Sequence, residues 1–251
     1  MTHRPLFAAN WKCFKTPDET RAYIDAFLPG AEELIPKTDI ALLPPFIDLE
    51  TVRTALDGTT IGYGAQDCYW EQQGAFTGEV SAAMLGALGC EYCIVGHSER
   101  RRLFGETDEM VSKKITALLA EGITPIVCVG ETLDEYKGGL TLQRVMQQVS
   151  DGLGHLEDGE RANLVVAYEP VWAIGTGLAD DPDSANRTIG YIRQCLGGLD
   201  EARVLYGGSM KADNAAQFCA QPNIDGGLVG SASLDAATFL KLVSSGAEMR
   251  A

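Results

Sequence analysis

Leu164–Gly177 reads LVVAYEPVWAIGTG: an unbroken run of small and β-branched apolar side chains, then a carboxylate, a proline and an apolar loop closed by glycines. A strand buried on one face alternates apolar and polar residues. Leu164–Ala167 does not alternate, so it is predicted to be a strand buried on both faces, as in a parallel sheet covered by helices. Glu169 falls at the C-terminal end of that strand, and Pro170 biases it towards an extended backbone. Val171, Trp172, Ala173 and Ile174 then form an apolar loop tip, running into Gly175 and Thr176, where loop tips are ordinarily polar. Pro170–Thr176 therefore reads as a lid that closes and expels water, with Glu169 beneath it as a catalytic base. The competing reading is a carboxylate paired with an arginine under a permanently packed loop.

Short apolar runs of the same kind recur along the chain: Leu6–Ala9, Ile40–Leu43, Ile61–Ala65, Tyr92–Val95, Ile126–Val129, Val204–Tyr206 and Leu228–Val229. The segments between them carry helix signals, clearest over Thr107–Gly122. There Thr107 can cap, Asp108 and Glu109 suit the first turn, and Gly122 ends the helix. Val111, Ile115, Leu118 and Leu119 share one face of that helix, which leaves Lys113, Lys114 and Glu121 to solvent. Comparable stretches run over about 18–28, 49–56, 81–88, 142–153, 184–195, 213–220 and 234–243. Strand then helix, eight times in 251 residues with no linker between them, predicts an α/β fold: a single closed (β/α)8 barrel domain spanning 1–251. A doubly wound open sheet would call for a glycine-rich first turn, and the first strand here runs into Asn10, Trp11 and Lys12.

The 35 acidic residues outnumber the 20 basic ones, for a net charge of -15, which argues against nucleic acid or an anionic membrane surface as a partner. An anionic substrate would meet a repulsive long-range field and would need local donors. The start of the chain lacks the sustained apolar region of a signal peptide, and no later stretch has membrane-spanning length, so a cytoplasmic protein is expected. Seven cysteines suit reduced thiols better than a disulfide framework. Cys90 and Cys93 form a C-x-x-C that leads into a strand instead of a helix, and both are expected in the core.

In such barrels the active site lies at the C-terminal ends of the strands. Asn10 and Lys12 follow the first strand, Gln66 the third, His97 the fourth and Glu169 the sixth. Gly207, Gly208 and Ser209 follow the seventh, and Gly230 and Ser231 the eighth. Each has an ordinary explanation alone: a structural histidine, a surface lysine, a turn asparagine, a serine cap. Together they place an acid/base pair, a cation, an amide and two backbone-exposing turns on one rim. The turn Gly230–Ser233 before the last helix offers free N–H groups suited to a phosphate. In Gly96–Arg101, Glu99 is a candidate proton-relay carboxylate, while Arg100 and Arg101 suit structural ion pairs. Proton abstraction beside a carbonyl needs this combination of a base with donors for the enediolate oxygen.

Over nearly its whole length the sequence resembles the triosephosphate isomerase family. The resemblance rests on AANWK (Ala8–Lys12), GAFTGE (Gly74–Glu79), GHSERR (Gly96–Arg101), AYEPVWAIGTG (Ala167–Gly177) and YGGS (Tyr206–Ser209). It implies that Glu169 shuttles a proton between adjacent carbons of a triose phosphate while neutral His97 and cationic Lys12 polarise the carbonyl. The family is itself a standing example of that arrangement. It also implies that backbone N–H groups of Gly175, Ser209, Gly230 and Ser231 hold the phosphate, and that no cofactor or metal is required. The loop Gly74–Glu79 is expected to dock in the second subunit of a homodimer, with Thr77 against its active site.

Three positions depart from the family's pattern: Ser231 replaces a second glycine, Leu178-Ala179-Asp180 replaces Lys-x-Ala after the lid, and Asp67–Gln72 is bulky and acidic. Two other readings remain open at this stage. One is a different phosphate-binding barrel enzyme, such as a sugar-phosphate lyase. The other is a non-catalytic metabolite-binding barrel.

Overall fold

Each expected apolar run becomes a strand, and all eight pair in parallel: β1 Leu6–Asn10, β2 Asp39–Leu43, β3 Gly62–Ala65, β4 Tyr92–Val95, β5 Thr124–Val129, β6 Val165–Tyr168, β7 Arg203–Tyr206 and β8 Gly226–Val229. In this computed structural model, which describes residues 3–174, 180–197 and 202–250, the strands close in sequence order into a barrel, β8 returning to β1. The lack of alternation has the cause assigned to it. Along β1, Leu6 and Ala8 point into the barrel interior, while Phe7 and Ala9 join the larger core under the helices. Ile94, Ile126, Ala167 and Leu205 belong to the same interior cluster as Ala8, so the barrel is packed and not a pore.

Helices follow the strands, and the cap expected at Thr107 is present alongside others. Thr107 accepts from the Met110 N–H at 3.2 Å, and the helix runs Asp108–Ala120. Thr16 and Glu19 form a capping box ahead of Pro17–Ala31. Asp181 caps Pro182–Cys195 with the proline in its first turn. Short helices at Ser98–Phe104, Leu133–Lys137 and Asp158–Arg161 are additional to the sequence-derived pattern.

Lys114 corrects the expected solvent face of the Asp108–Ala120 helix. It is buried, with its ammonium 2.6 Å from Asp67 Oδ1 and 2.8 Å from Glu106 Oε1. Arg100 joins the same network through Asp67 at 2.8 Å. Two carboxylates facing two cations allow the charges to sit inside the fold. Cys90 and Cys93 are core residues as expected, and all seven thiols are free. Among the described residues no helix is long and apolar enough to cross a membrane.

Candidate active site

β6 delivers Glu169 to the rim, its N–H bonded to Val129 O of β5 at 2.8 Å. Only 2% of Glu169 is exposed, yet both carboxylate oxygens are satisfied. Oε1 lies 3.0 Å from His97 Nε2, and Oε2 accepts from the Ser98 N–H at 2.8 Å. Gly207 makes room for this side chain, because a Cβ there would stand 2.9 Å from Glu169 Cγ.

His97 is the N-cap of Ser98–Phe104, and its Nδ1 accepts the Glu99 N–H at 3.2 Å. With that lone pair engaged at a helix N-terminus, the ring proton belongs on Nε2, facing Glu169. Burial pulls the His97 pKa down, while the Glu169 and Glu99 carboxylates push it up and prevail. A proton drawn to Nδ1 would have to displace the Glu99 N–H, so this geometry favours the Nε2–H tautomer against the upward pull of the carboxylates. Burial also opposes charge on Glu169. Its His97, Ser98 and Lys12 neighbours outweigh that, and its pKa lies below the ordinary carboxylate value.

Lys12 has a left-handed backbone, φ 54°, unusual for a lysine. Two side chains hold it there. Asn10 Oδ1 accepts the Lys12 N–H at 3.0 Å, and Gln66 Nε2 donates to Lys12 O at 2.9 Å. The ammonium lies 2.5 Å from Glu99 Oε1, so Glu99 links Lys12 to the helix that carries His97. Glu169, His97, Lys12, Asn10 and Glu99 all line one cavity of about 330 Å³, together with Ser209, Gly230 and Ser231. That size suits a small phosphorylated substrate.

Ser231 opens the 3₁₀ turn Ser231–Ser233, for which Gly230 is the cap. Ser209 lines the cavity and also donates its hydroxyl to Ala173 O at 2.6 Å, tying the loop after β7 to the 3₁₀ turn after β6. Of the expected lid, Pro170 and the 3₁₀ turn Val171–Ala173 lead into Ile174, which lines the cavity. Gly175 and Thr176 lie outside the described residues. Thr77 is exposed on its loop and does not line this cavity.

Sequence reasoning missed Glu131, just past β5. It is fully buried, accepting from Trp172 Nε1 at 2.8 Å and from the Tyr168 hydroxyl at 3.2 Å. Tyr136 stacks on the same Trp172, ring centroids 4.4 Å apart. The rule that found Glu169, a polar residue just beyond a barrel strand, applies equally to Glu131.

A family model described as Triosephosphate isomerase matches residues 5–246. The triosephosphate isomerase of Moorella thermoacetica is 47% identical over 246 residues, covering 96% of this chain and 98% of that one. Those of Thermoanaerobacter sp. (strain X514) and Roseiflexus sp. (strain RS-1) are 43% and 48% identical, covering 96% and 95% of this chain and 99% and 96% of their own. The chain belongs to the triosephosphate isomerase family. Two of the positions that depart from the triosephosphate isomerase pattern are buried. Asp180, after the lid, is largely buried with its N–H on the Tyr206 hydroxyl at 3.3 Å, and Asp67 is an inward-facing ion-pair partner. Leu178 and Ala179 lie outside the described residues.

Proposed function

We propose that the chain, acting as one barrel domain over residues 1–251, interconverts dihydroxyacetone phosphate and D-glyceraldehyde 3-phosphate in glycolysis and gluconeogenesis. A proton moves between adjacent carbons through an enediolate, with no cofactor. The observation that carries this reading is the buried pair Glu169 and His97, 3.0 Å apart in one cavity with Lys12.

In the free site the base and the electrophile satisfy each other. A substrate whose reacting carbons enter between them frees the Glu169 carboxylate to take a proton and the His97 Nε2–H to donate to the carbonyl oxygen. Lys12 adds a positive charge to that oxygen, and Asn10 keeps the lysine's backbone in place. Glu99 is the ammonium's resting partner and steadies the His97 helix. The phosphate is assigned to backbone N–H groups of Gly175, Ser209, Gly230 and Ser231. Closure of Pro170–Thr176 keeps water out and stops the enediolate from expelling phosphate.

A homodimer belongs to the same proposal. The Gly74–Glu79 loop projects with Thr77 exposed, and a groove of about 510 Å³ beside the site is lined by Phe14, Phe46, Leu103 and Phe104. Three of these, Phe14, Leu103 and Phe104, are more than half exposed at 55%, 61% and 67%, which suits burial by a second copy. A cytoplasmic location is proposed on the free thiols.

Purified protein incubated with dihydroxyacetone phosphate in deuterated water should wash out the substrate's transferable hydrogen and form glyceraldehyde 3-phosphate. Substrate recovered without deuterium would end this reading.

A further inference from the structure

Among the described residues every positive-φ position is a glycine except Lys12 and Lys15, both in the loop after β1. Lys12 has a reason to be there in its ammonium at the active site. Lys15, at φ 77°, is outside the residues lining the cavity and so calls for another. A lysine in the left-handed region carries a cost that glycine would not, and it persists only where something holds it.

What holds it is a contact 219 residues away in sequence. Lys15 Nζ donates to Leu234 O at 2.7 Å, the carbonyl that directly follows the 3₁₀ turn Ser231–Ser233. The same ammonium sits over two rings, 4.6 Å from the Tyr23 centroid and 5.3 Å from that of Trp11. Trp11 is fully buried between Asn10 and Lys12 in sequence, so the rings are a rigid support for the ammonium. The loop that carries Lys12 is thereby fastened to the turn that carries Gly230 and Ser231. The two already touch, since a Cβ on Gly230 would lie 3.4 Å from Lys12 Cε.

We propose that Lys15 is a positioning residue for phosphate binding: it fixes the turn after β8 against the loop after β1, and so sets the spacing between the Lys12 ammonium and the backbone donors of Gly230 and Ser231. This rests on the isomerase reading for the identity of the substrate, though not for the binding of phosphate itself. A ligand that spans a cation and a nest of N–H groups is sensitive to displacements of an ångström between them. The turn's own bonds, such as Ser233 Oγ to Val229 O at 3.0 Å, run back towards β8, whereas the Lys15 bond reaches across to the loop after β1.

Three variants test this. Lys15→Met keeps the stem and removes the donor, Lys15→Arg restores a cation, and Lys15→Gly removes both the donor and the backbone cost. Inorganic phosphate is the probe for the phosphate end, by calorimetry and as a competitive inhibitor; KM, kcat and Tm are measured alongside. Lys15→Met is expected to weaken phosphate and raise KM about tenfold with kcat within about twofold, and Lys15→Arg to recover most of the loss. Lys15→Gly should melt no lower than the native protein yet bind phosphate about as poorly as Lys15→Met. Stability and binding then part company, which a merely structural lysine would not produce. Phosphate affinity within twofold of native in Lys15→Gly, or a loss of kcat with KM unchanged in Lys15→Met, overturns the proposal. Should the native protein bind phosphate but fail to isomerise triose phosphates, the isomerase reading falls while the calorimetric comparison still decides the role of Lys15.

Discussion

Glu169 and Glu131 stand just beyond neighbouring strands, β6 and β5, and are 2% and 0% exposed. Burial alone would push both towards the neutral acid, yet they go opposite ways. Glu169 is surrounded by a helix-terminal N–H, an imidazole N–H and an ammonium, and these overcome burial to lower its pKa. Among the described residues Glu131 has the Trp172 indole and the Tyr168 phenol as side-chain donors, burial prevails over them, and Asp180 adds a like charge, so its pKa is raised. The kind of donor, more than the depth of burial, decides which carboxylate is kept ionised. One is thereby ready to accept a proton at neutral pH. The other is an anchor for Trp172 in the turn that follows β6.

The largest expected effect separates the two directly. Glu169→Gln removes the base and should lower kcat by about 1000-fold, with the fold intact by circular dichroism. Glu131→Gln should leave kcat within about tenfold, since the amide oxygen can still accept from Trp172. Comparable losses in the two variants would show that the partners assigned here do not distinguish their roles.

Next in size is His97→Gln, expected to lower kcat about 100-fold by misplacing the donor to the enediolate oxygen. It also tests the cause of the low Glu169 pKa. With the imidazole gone, burial is less fully offset, so the acid limb of the kcat/KM profile should move to higher pH than in the native enzyme. An acid limb that stays in place would mean that Ser98 and Lys12 alone keep Glu169 ionised.

How legible this contrast was in the sequence depends on how local each cause is. The strands could be read because burial on both faces writes a continuous apolar run into a few adjacent residues. Glu169 and His97 could be read because they stand one and two residues past such a run. Lys114 was misread because helical periodicity gives an angle around the axis but not the partner at that angle. Asp67, 47 residues earlier, converts a nominally solvent position into a buried ion pair. Glu131 escaped for a similar reason, since the tryptophan that gives it a role lies 41 residues on. The Nδ1 contact of His97 depends on the short Ser98–Phe104 helix, and no apolar periodicity announces a helix that buries only Ser98. Local pattern therefore carried the barrel and the position of the candidate base, and long-range pairing carried the electrostatics.

The smallest effect is on stability and has a sign for each carboxylate. Glu169 has a folded pKa below its ordinary 4.5, so its ionisation contributes stability that is present above that value and lost as pH falls through the folded pKa. Glu131 has a folded pKa above 4.5, so the stability it contributes as a neutral acid is complete below 4.5 and is lost as pH rises through the folded pKa. At pH 7, Glu131→Gln therefore removes a group whose ionisation burial and Asp180 oppose, and should stabilise the protein by on the order of 1 kcal/mol, or about 2–4 °C in Tm. Glu169→Gln should lower Tm by a similar order at the same pH, because the Ser98 N–H and the Lys12 ammonium lose an anionic partner. Both differences should shrink as the pH is brought down towards 4, one from above and one from below. Melting curves of the two variants and the native protein across that range measure this directly. A Glu131→Gln protein that melts below native at pH 7 would mean that the hydrogen bonds to Trp172 and Tyr168 outweigh the cost of burying the charge, and the contrast between the two carboxylates would then lie in geometry and not in electrostatics.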